Sequence, residues 1–114
     1  MAINYNLSKV YALSDNDPDF VLEIVRIFVV EIPVDLKKME CGIKEKDYNQ
    51  AFAFAHKIKP SLELLGMLIA HEEIIQVERW SEAKGKRKQI EATYESIKRQ
   101  IEKAIKEIKK DFSL

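Results

Sequence analysis

The sequence predicts an all-α protein: an up-down bundle of four helices preceded by a short N-terminal helix. The chain has 114 residues with only 3 glycines and 3 prolines, so we expect few turns between long elements. Charged residues make up 33% of the chain, as is typical of long solvated helices. No stretch alternates apolar and polar residues for more than a few positions, which argues against strands. We expect residues 1–114 to form one domain.

A short opening helix is predicted over residues 6–13, followed by a long helix that ends near Glu45. Asp17 and Pro18 are typical of an N-cap and a first helical position. Pro33 lies inside the long helix, but the apolar spacing stays in phase across it, so we expect the proline to kink the helix rather than end it. Its predicted buried stripe consists of Phe20, Ile24, Ile27, Phe28, Ile32, Leu36, Met39 and Ile43.

Two more helical segments follow Asp47, which can cap the first of them. Gly66 between them indicates close helix packing or a bend, and Gly85 is expected to end the second by taking a positive φ. The predicted apolar stripe of this region consists of Ala51, Ala55, Ile58, Leu62, Leu65, Ile69, Ile74, Val77 and Trp80.

The last helix repeats apolar residues at spacings of three and four. These residues are Ile90, Tyr94, Ile97, Ile101, Ile105, Ile108 and Phe112. The same pattern fits about three heptads of a coiled coil. Because the other helices also need partners for their apolar faces, intramolecular packing is favoured and we expect a monomer.

Composition argues against several classes of function. The formal net charge is zero, which is unlike a general nucleic-acid or membrane-surface binder. Residues 86–110 hold nine Lys/Arg against four Glu, and we interpret this local excess of positive charge as a solvated helix face. Cys41 is the single cysteine, so no disulfide can form within the chain, and we expect it to be at least half-buried. Neither a signal peptide nor an apolar run of about 20 residues is evident, so we expect a cytoplasmic protein.

His56 is the candidate functional residue. It lies roughly 150° from the centre of the apolar stripe of its own helix, and therefore faces solvent. Its neighbours along the helix include Phe52, Lys57, Lys59 and Pro60. None is an acid, a hydroxyl or a thiol, so no local triad or dyad is possible, and we expect no carboxylate to hold the tautomer of the ring. An exposed imidazole flanked by lysines suits reversible acceptance of an anionic group.

The segment from Ala55 to Gly66 closely resembles the signature of histidine phosphotransfer (HPt) domains. That signature is an Ala-His pair, an apolar residue two positions after the histidine, a lysine three after it and a glycine ten after it. Here those positions hold Ala55, His56, Ile58, Lys59 and Gly66. The resemblance implies a four-helix bundle of the stand-alone bacterial type. It also implies a phosphotransfer intermediate rather than a turnover enzyme, since no Gly-rich ATP-binding loop occurs.

By this resemblance, His56 accepts a phosphoryl group from the aspartate of one receiver domain and passes it to another response regulator. Lys59 is then the residue that stabilises the phosphate charge, and Lys57 contributes at longer range. The implied partners are receiver domains and hybrid histidine kinases. We expect no cofactor on this chain, because the divalent metal comes with the receiver domain. We also expect no metal site formed with the second histidine, His71.

Three further residues are assigned to the partner-binding surface. The family usually has a small residue where this chain has Pro60, which adds a ring to the exposed face. Phe52 is either part of the docking surface or a core-edge ring folded against the first long helix. Glu63, the nearest acid along the helix, is about 10 Å from His56, too far to direct water at phosphorus, so we expect slow hydrolysis. The alternative function is a helical adaptor that binds receivers without taking up phosphate.

Overall fold

The computed structural model describes residues 4–114. These residues form five α-helices and contain no strand, which confirms the all-α class. The helices are α1 (Ser8–Leu13), α2 (Pro18–Lys44), α3 (Tyr48–Leu64), α4 (Leu68–Glu82) and α5 (Glu91–Asp111). A single turn of 3₁₀ helix, Arg87–Gln89, precedes α5.

The four long helices close into a ring. α2 packs against α3, α3 against α4, α4 against α5, and α5 against α2. Because short turns join consecutive helices, neighbours run antiparallel, and α3 and α5 occupy opposite corners. The short helix α1 packs against α2. The predicted up-down bundle with a short N-terminal helix is therefore confirmed.

Local sequence signals fix where α2 and α3 begin. The Asp17 side chain accepts a hydrogen bond from the backbone N–H of Asp19, and Pro18 is the first residue of α2. The Asp47 side chain accepts from the backbone N–H of Gln50 at the start of α3, at 3.1 Å. Each cap satisfies a donor that the first helical turn leaves free, so both predicted N-caps are confirmed.

Both internal prolines are exposed and neither ends its helix. Pro33 lies inside α2 and Pro60 inside α3. A proline removes one backbone hydrogen bond but leaves the apolar face intact, and burial of that face holds the helix together. The predicted continuation of α2 through Pro33 is confirmed.

Gly66 forms the turn between α3 and α4. Its φ is +65°, and its N–H donates to the Glu63 carbonyl at 3.0 Å. The N-terminal segment crosses the same point, where the Asn6 N–H donates to the Leu65 carbonyl at 2.7 Å. A Cβ at position 66 would lie 2.8 Å from the Asn6 Cβ. The glycine therefore reverses the chain and admits a close backbone approach, in agreement with the predicted packing role.

The predicted buried stripe is wrong in the N-terminal half of α2. Phe20 and Ile27 are each 44% exposed, whereas Val21 and Val25 are fully buried. Apolar residues occur on several faces here, so periodicity alone does not fix the phase of the helix. The well-packed C-terminal half of α2 determines which face is buried. Three residues before Phe28 is Val25, and four residues before Val25 is Val21, so both valines lie on the buried face.

Three smaller expectations are also wrong. Ile69 is 71% exposed because the turn at Gly66 resets the helical phase before α4 begins. The positive φ after α4 belongs to Lys84, not Gly85; a Cβ at Gly85 would instead collide with the indole of Trp80. Cys41 is exposed rather than half-buried.

Candidate functional site

His56 lies on the outer face of α3, where its side chain is 64% exposed. The opposite face of α3 is buried in the bundle core through Ala51, Ala55, Ile58 and Leu62. The helical phase predicted from the sequence therefore agrees with the observed orientation of the imidazole.

A buried carboxylate from the next helix contacts this imidazole. Glu78 of α4 is 6% exposed, and its Oε2 lies 2.9 Å from His56 Nδ1. The expectation that no carboxylate holds the ring is therefore wrong. It rested on neighbours along α3 only, whereas Glu78 is 22 positions away in sequence and reaches the ring because α3 and α4 pack together.

This contact assigns the tautomer of His56. Burial alone would raise the pKa of the Glu78 carboxyl, but hydrogen bonds from Lys59 and His56, together with their charges, outweigh burial and hold that pKa below its ordinary value. An ionised carboxylate only accepts hydrogen bonds, so Nδ1 carries the proton. In the neutral form of this exposed ring, the lone pair is then on Nε2, as a nucleophilic nitrogen requires.

Lys59 completes the arrangement around Glu78. Its Nζ lies 2.9 Å from Glu78 Oε1, and its side chain is only 29% exposed. Glu78 thus bridges a lysine and a histidine with its two oxygens. The ion pair between Lys59 and Glu78 therefore lies partly under the surface.

Lys57 lies on the other flank of α3. Its Nζ is 3.1 Å from Oδ1 of Asp35, a carboxylate of α2 whose side chain is only 5% exposed. The same Nζ is 6.0 Å from the centroid of the Phe54 ring. Lys57 is therefore held towards α2, whereas Lys59 is held towards α4, next to the imidazole. The two lysines that the sequence places together are not equivalent.

Phe52 stacks on the imidazole. Its ring centroid is 5.8 Å from that of His56, and the two planes differ by 8°. The half-buried Phe52 also lines a cavity of about 270 Å³ together with Ser81 and Glu82 of α4. Phe52 thus lies on the α4 side of α3. The alternative, a ring folded against the first long helix, is not what the structure shows.

Pro60 and Glu63 lie together beyond His56, in the direction of the helix C-terminus. Both line a cavity of about 400 Å³ whose other wall is α1, including Leu13, which is 75% exposed. The Glu63 carboxylate is 3.2 Å from Lys9 Nζ, in an exposed pair. The two residues assigned to partner binding therefore share one largely apolar groove with α1. Neither contacts His56 through an observed hydrogen bond.

Residues 4–114 contain neither a metal-binding cluster nor a membrane-spanning helix. No group of three or more His, Cys, Asp or Glu side chains in this range is placed to hold a metal ion, and the half-buried His71 makes no such cluster. Over the same range, no helix has the length and apolar character needed to cross a bilayer.

Comparison with known families assigns the chain to a protein family. A family model of the Hpt domain matches residues 23–111, which include almost all of α2 and the whole of α3, α4 and α5. The chain belongs to the Hpt domain family. No curated protein and no solved structure matches the chain. As an Hpt domain, it has a histidine phosphotransfer role in phosphorelay signalling, and Hpt domains act together with receiver domains and kinases.

Sequence reasoning missed two residues of this Hpt domain, Glu78 and Asp35. Each carboxylate lies on the buried side of its helix: Glu78 follows Val77 on α4, and Asp35 precedes Leu36 on α2. An acid at a core position is uncommon unless it is paired. An acidic residue among core positions was therefore the sequence signal that could have revealed both residues, because it indicates a cation on a facing helix.

Proposed function

We propose that this Hpt domain relays phosphoryl groups between receiver domains through Nε2 of His56. The observation that carries the proposal is the contact between His56 Nδ1 and the buried Glu78 carboxylate at 2.9 Å. In the neutral imidazole, this contact places the proton on Nδ1 and the nucleophilic lone pair on Nε2. Exposure of 64% of the His56 side chain gives a macromolecular donor access to that nitrogen.

The transfer step follows from this geometry. The lone pair of Nε2 attacks the phosphorus of an aspartyl phosphate on the donor receiver, an N–P bond forms, and the bond from phosphorus to the aspartyl oxygen breaks. The aspartate leaves as a carboxylate, and no proton needs to move, because Nδ1 keeps its hydrogen. Positive charge develops on the imidazole, and Glu78 stabilises it through the hydrogen bond already present. Transfer to the next receiver is the reverse step.

Lys59 stabilises the negative charge of the phosphoryl group in this proposal. Its ammonium has three donors, of which Glu78 engages one at 2.9 Å, so two are free to reach a phosphate one turn away on the same face. Lys57, held by Asp35 towards α2, acts at longer range. A divalent metal that polarises the phosphoryl oxygens is supplied by the receiver domain.

The phosphohistidine is expected to hydrolyse slowly. Both Glu78 oxygens are engaged, one by His56 and one by Lys59, on the Nδ1 side of the ring, away from Nε2. Glu63 is engaged by Lys9. Neither of these two carboxylates is thus placed to activate a water at phosphorus, so the group persists long enough to be passed on.

The docking surface of the receiver is proposed to lie on both sides of His56. Phe52 forms one side, and the groove of Pro60 and Glu63 beside α1 forms the other. Apolar rings and grooves that flank a reactive nitrogen favour a partner that covers them and excludes water during transfer. We propose that the chain acts as a monomeric single domain in the cytoplasm, with receiver domains, including those of hybrid kinases, as partners.

Transfer of radiolabel from a phosphorylated receiver domain tests this function. Wild type should acquire acid-labile, base-stable label, and His56→Gln should acquire none. His71→Gln is the matched control, since it removes the other histidine and should label normally. Label that persists in His56→Gln would exclude His56 as the acceptor.

The alternative is a non-catalytic adaptor that binds receivers without taking up phosphate. The exposed ring of Pro60, at a position where the family usually has a small residue, is the feature that favours it. Pro60→Gly should fold and change the transfer rate only modestly if the ring merely restricts access. A wild-type protein that binds a phosphorylated receiver but never acquires label would establish the adaptor function.

A further inference from the structure

The outer face of α5 carries a row of positive charge. Its four members are spaced i, i+4, i+7 and i+11, which places them on one side of the helix. They are Arg99, Lys103, Lys106 and Lys110, and all four are exposed. Within residues 4–114, none of these four side chains forms a hydrogen bond or an ion pair. We call this row the basic stripe.

The fold gains little from the basic stripe. Like charges three and four positions apart on a helix destabilise it by a few tenths of a kcal/mol per pair. Only Lys110 lies in the last turn, where the helix dipole favours a cation. Arg99 and Lys103 lack that benefit, and although Glu95 and Glu107 lie four positions from them on the helix, neither cation forms an ion pair in the described part of the chain. Their arrangement is therefore more readily explained by a partner than by stability.

An apolar groove lies next to the basic stripe. The cavity between the start of α4 and the middle of α5 has a volume of about 570 Å³. Leu68 and Ile69, which are 69% and 71% exposed, form one wall, and Arg99 and Lys103 form part of the other. Two adjacent aliphatic side chains at such exposure are unfavourable unless something covers them. Within residues 4–114, the groove thus combines an exposed apolar edge with cations that form no ion pair.

We propose that the basic stripe and this groove bind an acidic amphipathic helix of a partner protein. The stripe extends over eleven helical steps, about 16 Å, which matches about three turns of a partner helix. Carboxylates on one face of that helix would pair with the four cations, while an aliphatic side chain at its edge would cover Leu68 and Ile69.

Other anionic partners fit this surface less well. A duplex presents phosphates to the cations but offers no aliphatic side chain to cover Leu68 and Ile69. Two aliphatic residues offer little area for insertion into a membrane. A helix with its own alternation of acidic and aliphatic residues complements both features of the surface.

The position of this surface makes it independent of the phosphotransfer site. α5 stands at the corner opposite α3, which carries His56, so the outer faces of the two helices point away from each other. A receiver at His56 and an acidic helix at the basic stripe can therefore be bound simultaneously. The proposed partner is a tether or scaffold rather than a second phosphoryl donor.

Titration of the isotope-labelled protein with synthetic helical peptides tests this proposal. The probe is a peptide of about 15 residues with Glu in one i, i+4, i+7, i+11 row and Leu beside it; the control has the same composition in shuffled order. We expect amide shifts at the four cations and at Leu68 and Ile69, with affinity about tenfold higher than for the shuffled peptide, which corresponds to about 1.4 kcal/mol. Equal affinity for the two peptides would overturn the proposal.

Charge-reversal variants locate the binding. Arg99→Glu combined with Lys103→Glu should weaken the peptide about tenfold or more. The matched control, Lys37→Glu combined with Lys88→Glu, changes the net charge equally at exposed lysines outside the stripe and should leave affinity within about twofold. Tighter binding of anionic phospholipid vesicles or duplex DNA than of the peptide would also overturn the proposal. Phosphotransfer at His56 should be unchanged in the Arg99/Lys103 variant, so this test and that of the relay fail separately.

Discussion

Glu78→Gln isolates the contribution of the buried carboxylate to phosphotransfer. Glutamine keeps the shape of the side chain and carries no charge, and its one amide oxygen can accept a hydrogen bond from His56 Nδ1 or from Lys59 Nζ but not from both. Of the two contacts to Glu78, from His56 Nδ1 and from Lys59 Nζ, each 2.9 Å long, one is therefore lost and the other no longer has a charged acceptor. The substitution therefore changes the electrostatics of the site with little change in its packing.

The expected magnitudes follow from burial. Breaking a fully buried ion pair costs about 3–5 kcal/mol, but water can replace part of each lost contact here, because Lys59 is 29% and His56 is 64% exposed. We expect the free energy of unfolding to fall by about 1–2 kcal/mol. The transfer rate should fall roughly 10- to 100-fold, since the developing charge on the imidazole loses its anionic acceptor and about 1.4–2.7 kcal/mol of stabilisation.

Rapid-quench measurement of single-turnover transfer from a phosphorylated receiver provides the assay. Thermal unfolding followed by circular dichroism establishes that the variant is folded at the assay temperature. Glu63→Gln is the matched control, because it removes an exposed carboxylate that pairs with Lys9 rather than with His56. A folded Glu78→Gln protein that transfers at the wild-type rate would refute the role assigned to Glu78.

Three further predictions concern stability and charge. Lys59→Ala should lower both the transfer rate, by roughly 10- to 100-fold, and the free energy of unfolding, by about 1 kcal/mol, because the buried Glu78 keeps only the partly exposed His56 as a partner. Gly66→Ala should destabilise the fold by about 1–3 kcal/mol in chemical denaturation, since φ is +65° and the new Cβ would lie 2.8 Å from that of Asn6. The pKa of Glu78 is lowered from 4.5, so the folded chain binds fewer protons than the unfolded one near that pH; stability from Glu78 is complete above about pH 5 and is lost as the pH falls.

Each of these three predictions can be contradicted by a specific control experiment. Lys9→Ala removes an exposed ion pair and should cost no more than about 0.5 kcal/mol, so an equal loss in Lys9→Ala and Lys59→Ala would contradict the importance of burial. A Gly66→Ala protein as stable as wild type would show that the turn relaxes. Denaturant titrations between pH 3 and 7 should give a flatter pH profile for Glu78→Gln than for wild type; parallel profiles would count against a lowered pKa.

The sequence predicted the parts of the structure that depend on local chemistry. Asp17 and Asp47 cap helices because a side-chain oxygen can satisfy donors two or three residues ahead, whatever the rest of the chain does. His56 faces outward because four buried residues of α3 fix the helical phase. In α2, apolar residues surround much of the helix, so the face that is buried depends on how α2 packs against the other helices. The apolar spacing alone therefore placed Phe20 in the core instead of Val21.

The sequence predicted only those residues of the candidate site that lie on α3. His56, Lys59 and Phe52 are neighbours on one helix, and their proximity follows from its repeat. Glu78 comes from α4, and the contact depends on how two helices pack, which periodicity does not determine. The same holds for Asp35, which sets the direction of Lys57 from α2. Both acids could have been suspected from their position among apolar residues.

The most direct measurement of the central claim is nitrogen-detected NMR of the histidine-labelled protein before and after phosphorylation by a receiver domain. We expect the phosphorus to couple to Nε2 of His56, while Nδ1 keeps its hydrogen and its contact with Glu78. His71 should be unchanged. Coupling of phosphorus to Nδ1 of His56, or to either nitrogen of His71, would contradict the account.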